Sequence, residues 1–160
     1  MILKGIIDED FVNYKLPCIT LEFPYCSFKC DKECGKPVCQ NSSLATTPNI
    51  EISSAKIIQR YMNNPITEAI CFQGLEPLDS FEDVIRLIHN FRYQYKCSDD
   101  IIIYTGYTEH EVKDKFKMNH WEYSNIIIKF GRYIPNQKTH FDKTLGVYLT
   151  SDNQYAKKIS

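Results

Sequence analysis

Cys26-Ser27-Phe28-Lys29-Cys30-Asp31-Lys32-Glu33-Cys34-Gly35-Lys36-Pro37-Val38-Cys39-Gln40-Asn41 packs four of the chain's seven cysteines into one short stretch, at spacings of three, three and four residues. Thiols are concentrated in this way where they hold a metal or a metal–sulfur cluster. Thiolate is the ligand that iron–sulfur clusters use. A structural zinc is the competing reading. Zinc sites usually pair two knuckles across a longer segment, whereas here all four cysteines share one loop. A disulfide framework fits less well. The chain begins MILKGIIDED, with no basic start followed by an apolar run, so no secretory signal is visible and a cytoplasmic location is expected. A cytosolic chain keeps its thiols reduced.

The segment before this loop, Cys18-Ile19-Thr20-Leu21-Glu22-Phe23, is rich in β-favoured residues and reads as a core strand. Pro24 stops it, because proline cannot continue a central ladder. The cysteines therefore follow the carboxyl end of a strand, where α/β proteins place their ligands. Cys18, inside the strand, reads as a small buried hydrophobe, as does Cys71 further on.

Outward from there, the chain alternates. Ser53 or Ser54 starts a helix to about Met62, with Ile57, Ile58, Tyr61 and Met62 at helical spacing. Ala69-Ile70-Cys71-Phe72 is a short apolar run suited to a buried parallel strand. Ser80 to about Tyr95 is a helix with Phe81, Val84, Ile85, Ile88 and Phe91 along one stripe; Ser80 and Asp83 read as its capping box. His89 beside the stripe and the lone Cys97 after it are assigned no chemistry. Ile101 to Tyr104 is a strand, Thr108 and Glu111 cap a helix to about Lys117, and Asn125 to Phe130 is the fourth strong strand. Helices between strands argue for parallel pairing with crossovers. Four strong strands, with weaker ones near the termini, are too few for a closed eight-stranded barrel. The expected fold is α/β, an open partial (βα) barrel with mostly parallel strands, formed by residues 1–160 as one domain.

At 160 residues, 43% hydrophobic and 24% charged, the chain has apolar material enough for a core without covalent staples. A net charge of −1 gives no argument for a nucleic-acid partner. No apolar run approaches the ~18 residues of a membrane span, so no membrane partner is expected.

Several segments, taken in order, carry a family resemblance. Cys26-Ser27-Phe28-Lys29-Cys30 resembles the first half of the Cys-x-x-x-Cys-x-x-Cys loop of the radical S-adenosylmethionine (SAM) superfamily. Gly74-Leu75-Glu76-Pro77 resembles the Gly-Gly-Glu-Pro segment after that fold's second strand, with Leu75 where the second glycine stands. Ile103-Tyr104-Thr105-Gly106-Tyr107-Thr108, Gly131-Arg132-Tyr133-Ile134 and the tail Thr150 to Gln154 resemble segments of the activating protein of anaerobic (class III) ribonucleoside-triphosphate reductase. A polar, mobile terminus is the plainer reading of the tail.

The resemblance implies a 4Fe-4S cluster held by three cysteines, with its fourth iron left for SAM. It implies radical SAM oxidoreductase activity: reductive cleavage of SAM, then formation of a glycyl radical on the reductase. An electron donor such as flavodoxin or ferredoxin would be required. Cys26 and Cys30 would be cluster ligands. Gly74 and Glu76 would meet the methionine end of SAM, and Thr105 and Gly106 its nucleotide side. The third ligand is open. Family spacing places it near position 33, one residue before Cys34 and six before Cys39. Cys39 is favoured, because Cys39-Gln40-Asn41 resembles the Cys-aromatic-Asn sequence after the family's loop, with Gln40 in the aromatic position. On that reading Asp31 to Val38 is an insertion and Cys34 a nearby free thiol; Cys34 as the ligand, with nearly ordinary spacing, is the alternative. Two other functions remain: a radical SAM enzyme acting on another peptide or small molecule, and a non-enzymatic zinc-binding module.

Overall fold

A computed structural model describes residues 1–116 and 123–160. In chain order its regular elements are β1 (Ile2–Leu3), β2 (Gly5–Asp10), β3 (Cys18–Phe23), α1 (Lys29–Cys34), β4 (Ile50–Glu51), α2 (Ser54–Met62) and β5 (Ala69–Gly74). Then follow α3 (Phe81–His89), β6 (Asp100–Tyr104), α4 (Glu109–Phe116), β7 (Ile126–Phe130), β8 (His140–Asp142), β9 (Val147–Leu149) and β10 (Tyr155–Lys158). Among the described residues, a six-stranded sheet runs in the order β10-β7-β6-β5-β3-β2. The four central strands are parallel. The two edges, β2 and β10, pair antiparallel. The sheet is open, and each parallel step is bridged by a helix, as right-handed crossover connections require.

The apolar runs of the central strands have a simple cause: both faces of the sheet are covered. Leu21, Phe23, Ile70, Phe72, Ile101, Ile103, Ile126 and Ile128 pack on one side against α2 and α3, whose Ile57, Ile58, Val84, Leu87 and Ile88 are buried. The alternate residues Cys18, Ala69, Cys71, Ile102 and Ile127 face the other side, under Tyr14, Leu145 and Leu149. Cys18 and Cys71 are fully buried there, as core residues.

Local signals place most helix starts. Ser53 caps α2 by accepting from Lys56 N. Thr108 and Glu111 form a reciprocal capping box on α4: Glu111 N donates to Thr108 Oγ1 at 3.2 Å, and Thr108 N to Glu111 Oε2 at 2.9 Å. The expected end of that helix, Lys117, lies outside the described residues.

α3 begins at Phe81, just after Ser80 as expected, but the cap itself departs from expectation: Ser80 makes no capping hydrogen bond, and its Oγ has no partner among the described residues. The chain instead enters through a 3-10 turn, Pro77–Ser80, capped by Glu76, and Asp83 pairs with Arg86. Proline at the first position suits that earlier start, because its missing N–H would have no partner there anyway. At the far end the α-helix stops at His89 and continues as a π turn, Asn90–Gln94. No helix among the described residues is long and apolar enough to cross a membrane.

Candidate metal centre

The cysteine loop leaves β3 through Pro24 and folds in three steps. Phe28, at φ 51°, turns the backbone so that its N–H donates to Cys26 Sγ at 3.2 Å. α1 then carries Cys30 and Cys34 one helical turn apart and ends at Gly35, whose φ of 66° is the left-handed cap that glycine adopts without strain. Finally, Asp31 Oδ1 accepts from both Val38 N and Cys39 N at 2.8 Å, folding the chain back on α1.

This last step brings Cys39 to the other cysteines. Cys26, Cys30 and Cys39 line one cleft of about 460 Å³ at the carboxyl ends of the parallel strands, and Cys34 does not. A charge on Cys39 is felt by both Cys26 and Cys30. Gln40, Asn41, Gly74, Glu76, Thr105 and Gly106 line the same cleft, so the residues singled out in the sequence are brought together. Among the described residues, no three His, Cys, Asp or Glu side chains converge on a point that one metal ion could occupy.

Burial dominates the electrostatics of the three thiols. Burial pushes the Cys26 thiol up to about 12, and the nearby charges of Glu76 and Asp79 add to the effect. Burial also raises Cys30, against the backbone N–H of Tyr133 and the Arg132 guanidinium. Cys39 is raised by burial as well. Left alone, these thiols hold their protons, and iron supplies the charge that allows them to ionise.

The turns around the cleft are locked to one another. Gly74 has φ 104°, and a Cβ there would lie 2.6 Å from Phe23 N, so only glycine fits this crossing. Asn41 Nδ2 donates to Gly74 O at 2.9 Å, fixing the end of the cysteine loop to the turn after β5. Leu75 N and Glu76 N donate to Phe23 O and Tyr25 O, fixing its beginning. Gln40 is exposed, and its Oε1 accepts from Thr150 Oγ1 at 3.5 Å.

Glu76 is 5% exposed. Its Oε1 accepts from Thr105 Oγ1 at 2.8 Å and Leu78 N at 3.1 Å; its Oε2 accepts from Gly106 N at 2.8 Å. Three of the roughly four acceptor positions of a carboxylate are thus filled, and the opening left is on Oε2. Burial raises its pKa to about 7, against those same hydrogen bonds. Cys30 is close by: a Cβ on Gly106 would lie 3.5 Å from Glu76 Oε2 and 3.9 Å from Cys30 Sγ.

A second brace holds α1 from outside. Glu111 Oε1 accepts from Arg132 Nη2 at 2.6 Å and from Lys29 Nζ at 3.0 Å. Arg132 Nε also lies 3.1 Å from Glu33 Oε1, without hydrogen-bond alignment. The Arg132 guanidinium holds the Glu111 carboxyl far below the usual range.

The tail is ordered against the cleft. Ser151 is fully buried and exchanges hydrogen bonds with Ile134, and Gln154 Nε2 donates to Gly131 O at 3.3 Å. Thr150 and Gln154 of this segment line the cleft, and Asp152 and Asn153 are exposed.

A family model described as a 4Fe-4S single cluster domain matches residues 18–155. The chain belongs to that family. It is an iron–sulfur protein, and the cleft with its three lining cysteines is the place in the fold with donors for such a cluster. No curated protein and no solved structure gives a significant match.

Among the cleft residues to which the sequence assigned no role are Glu22, Gln73, Tyr104 and Lys129. One comes from each parallel strand, at its last or next-to-last position. Glu22 pairs with Gln73, and Tyr104 with Lys129, so they form one polar layer across the sheet. Each is a single polar side chain near the end of an apolar run, which carries no periodic signal in the sequence alone.

Proposed function

We propose that this iron–sulfur protein is a radical SAM activase, built on an open sheet of the partial-barrel type, that acts on an anaerobic class III ribonucleotide reductase. The observation that carries the reading is the number and placement of the cysteines. Three thiols, not four, share the cleft, beside open volume and two turns that end parallel strands. Three thiolates on a four-iron cluster leave one iron for a small molecule. Held by these residues and reduced by a donor such as flavodoxin or ferredoxin, a cluster of this kind would supply the electron for cleavage of SAM to methionine and a 5′-deoxyadenosyl radical, and that radical would take a hydrogen atom from a glycine α-carbon of the reductase.

The chain's own residues supply the rest. Cys26, Cys30 and Cys39 hold the cluster, and Asp31 and the Glu111–Arg132 brace hold their loop. Glu76 receives the ligand's ammonium on the open side of Oε2, where a charge-assisted hydrogen bond is available. Thr105 and Gly106 keep that carboxylate in place. The order of segments resembling the reductase activases, each after a strand, supports the choice of partner.

The test is anaerobic reconstitution followed by mixing with SAM, a reductant and a class III reductase. The expected results are 5′-deoxyadenosine and a glycyl-radical doublet in electron paramagnetic resonance. Deoxyadenosine without a protein radical would redirect the reading to another peptide or small-molecule substrate. Tightly bound zinc without labile sulfide would end it.

A further inference from the structure

Two side chains on the floor of the cleft have no partner in the fold. Glu22, on β3, and Gln73, on β5, are cross-strand neighbours, and both line the cleft. Neither side chain makes a hydrogen bond or ion pair among the described residues. Glu22 is half-buried, and burial raises its pKa with no donor to oppose the shift. A carboxylate drawn partly out of water without a donor is unfavourable. Its place is nevertheless prepared. Glu22 stands opposite Gly5 of the edge strand β2. A Cβ on Gly5 would collide with Glu22 Oε2 and lie 3.3 Å from its Cδ. Gly5 does not have a positive φ, so its use here is the room it leaves for the carboxylate.

The carboxylate thus lies across β2, toward the open edge of the sheet. The next β2 residue on that face is Ile7, 41% exposed, and the loop beyond presents Phe11 and Val12, the latter 75% exposed. This loop is braced: the buried Asp10 accepts from Val12 N at 2.9 Å, Asn13 N at 3.3 Å and Asn13 Nδ2 at 2.6 Å. Tyr148 of β9, 72% exposed, lines the cleft together with Val12. Apolar side chains held out in water beside unused hydrogen-bonding groups mark an interaction surface. The unused groups set the chemistry of the guest. A carboxylate that only accepts, next to an amide that donates and accepts, complements a main-chain N–H and C=O and repels an anion. Both residues lie on the strands themselves, below the turns that carry Cys26 and Glu76. We infer that Glu22, with Gln73 beside it, holds the main chain of the reductase's glycine segment along the β2 side of the cleft, Glu22 accepting the glycine N–H. This rests on the activase reading given above and adds to it the residues that position the hydrogen-donating glycine.

The experiment measures equilibrium binding of two peptides to anaerobically reconstituted, SAM-saturated protein, with iron content matched between variants. One peptide carries the glycine segment of a class III reductase; the other has N-methylglycine at that position and so lacks the N–H. The wild type is expected to bind the glycine peptide about tenfold or more tightly than the methylated one, the worth of a charge-assisted hydrogen bond. Glu22→Leu should weaken the glycine peptide by that factor and lose the discrimination. Glu22→Gln, which keeps an acceptor, should retain part of it, and Gly5→Ala, which takes the carboxylate's room, should reduce it with Glu22 intact. A wild type that binds both peptides equally, or neither, overturns the inference. So does a Glu22→Leu protein that still discriminates, or one that loses as much affinity for SAM as for the peptide, which would set the carboxylate against the cofactor. The intact reductase separates this failure from that of the activase reading: a glycyl-radical doublet beside overturning peptide results leaves the activase reading standing, whereas neither doublet nor 5′-deoxyadenosine ends both.

Discussion

Replacing Asp31 tests how the third cysteine reaches the site. Its Oδ1 accepts from Val38 N and Cys39 N at 2.8 Å each, and it is the residue that turns the segment after α1 back toward Cys26 and Cys30. A hydrogen bond to a charged group contributes about 1.5–3 kcal/mol. Asp31 is only half-buried and both bonds share one oxygen, so the lower end applies, and the pair contributes about 2–3 kcal/mol. Asp31→Ala should therefore reduce the population of the closed loop by about 30- to 150-fold. Asp31→Asn keeps an acceptor without the charge and should fall between. The assay is the rate at which reconstituted protein loses iron to excess chelator under anaerobic conditions, with the thermal midpoint of the unloaded protein as control. Cluster loss should accelerate by tens of fold in the alanine variant, while the midpoint stays near wild type, because the loop contributes no buried residue to the core. Wild-type lability in Asp31→Ala would show that Cys39 reaches the cluster without this carboxylate, or does not reach it at all.

Two further outcomes follow from the same geometry. Cys39→Ala should abolish the spectroscopic response of the cluster to SAM, whereas Cys34→Ala, outside the cleft, should keep that response with about four irons per chain; the reverse pattern would make Cys34 the ligand. Gly74→Ala forces a side chain to φ 104° and 2.6 Å from Phe23 N, so it should destabilise the fold by about 3 kcal/mol or more in denaturant unfolding; an unchanged midpoint would show that the turn relaxes freely.

The central sheet was legible because its physics is local. Runs such as Ile101-Ile102-Ile103 and Ile126-Ile127-Ile128 have one stable use in a chain of this size, as parallel strands buried on both faces. The edges were harder to read. β2 is Gly-Ile-Ile-Asp-Glu-Asp, whose acidic residues obscure its pattern; charge is what an edge strand carries to avoid pairing with other chains. Ser80 does precede α3, as the motif indicated, but it makes no capping bond, because the 3-10 turn leading into the helix is capped four residues earlier by Glu76. Glu76, two residues before Leu78, was already placed to accept its N–H, and a helix begins where its first donor is satisfied.

The site divides in the same way. Cys26, Cys30, Gly74 and Glu76 were readable because each stands in a motif immediately after a strand. The choice of Cys39 over Cys34 rested on its neighbours in sequence, whereas the structure brings Cys39 into the cleft through Asp31, a residue inside the segment that looked like an insertion. That segment is a helix, a glycine cap and a carboxylate latch, and the latch joins residues seven and eight positions apart. Spacing rules count residues between ligands; they do not register a helix that shortens the path. The polar floor was hidden for another reason. Lys129 and Glu22 belong to buried strands, and a single polar residue in an apolar run carries no periodic signal. It becomes informative only when the register aligns four such residues across four strands at the end where the cysteine loop begins. A loop motif can therefore name the metal chemistry, but the choice of ligand depends on which strand-end side chains are brought level, and that is a property of the sheet.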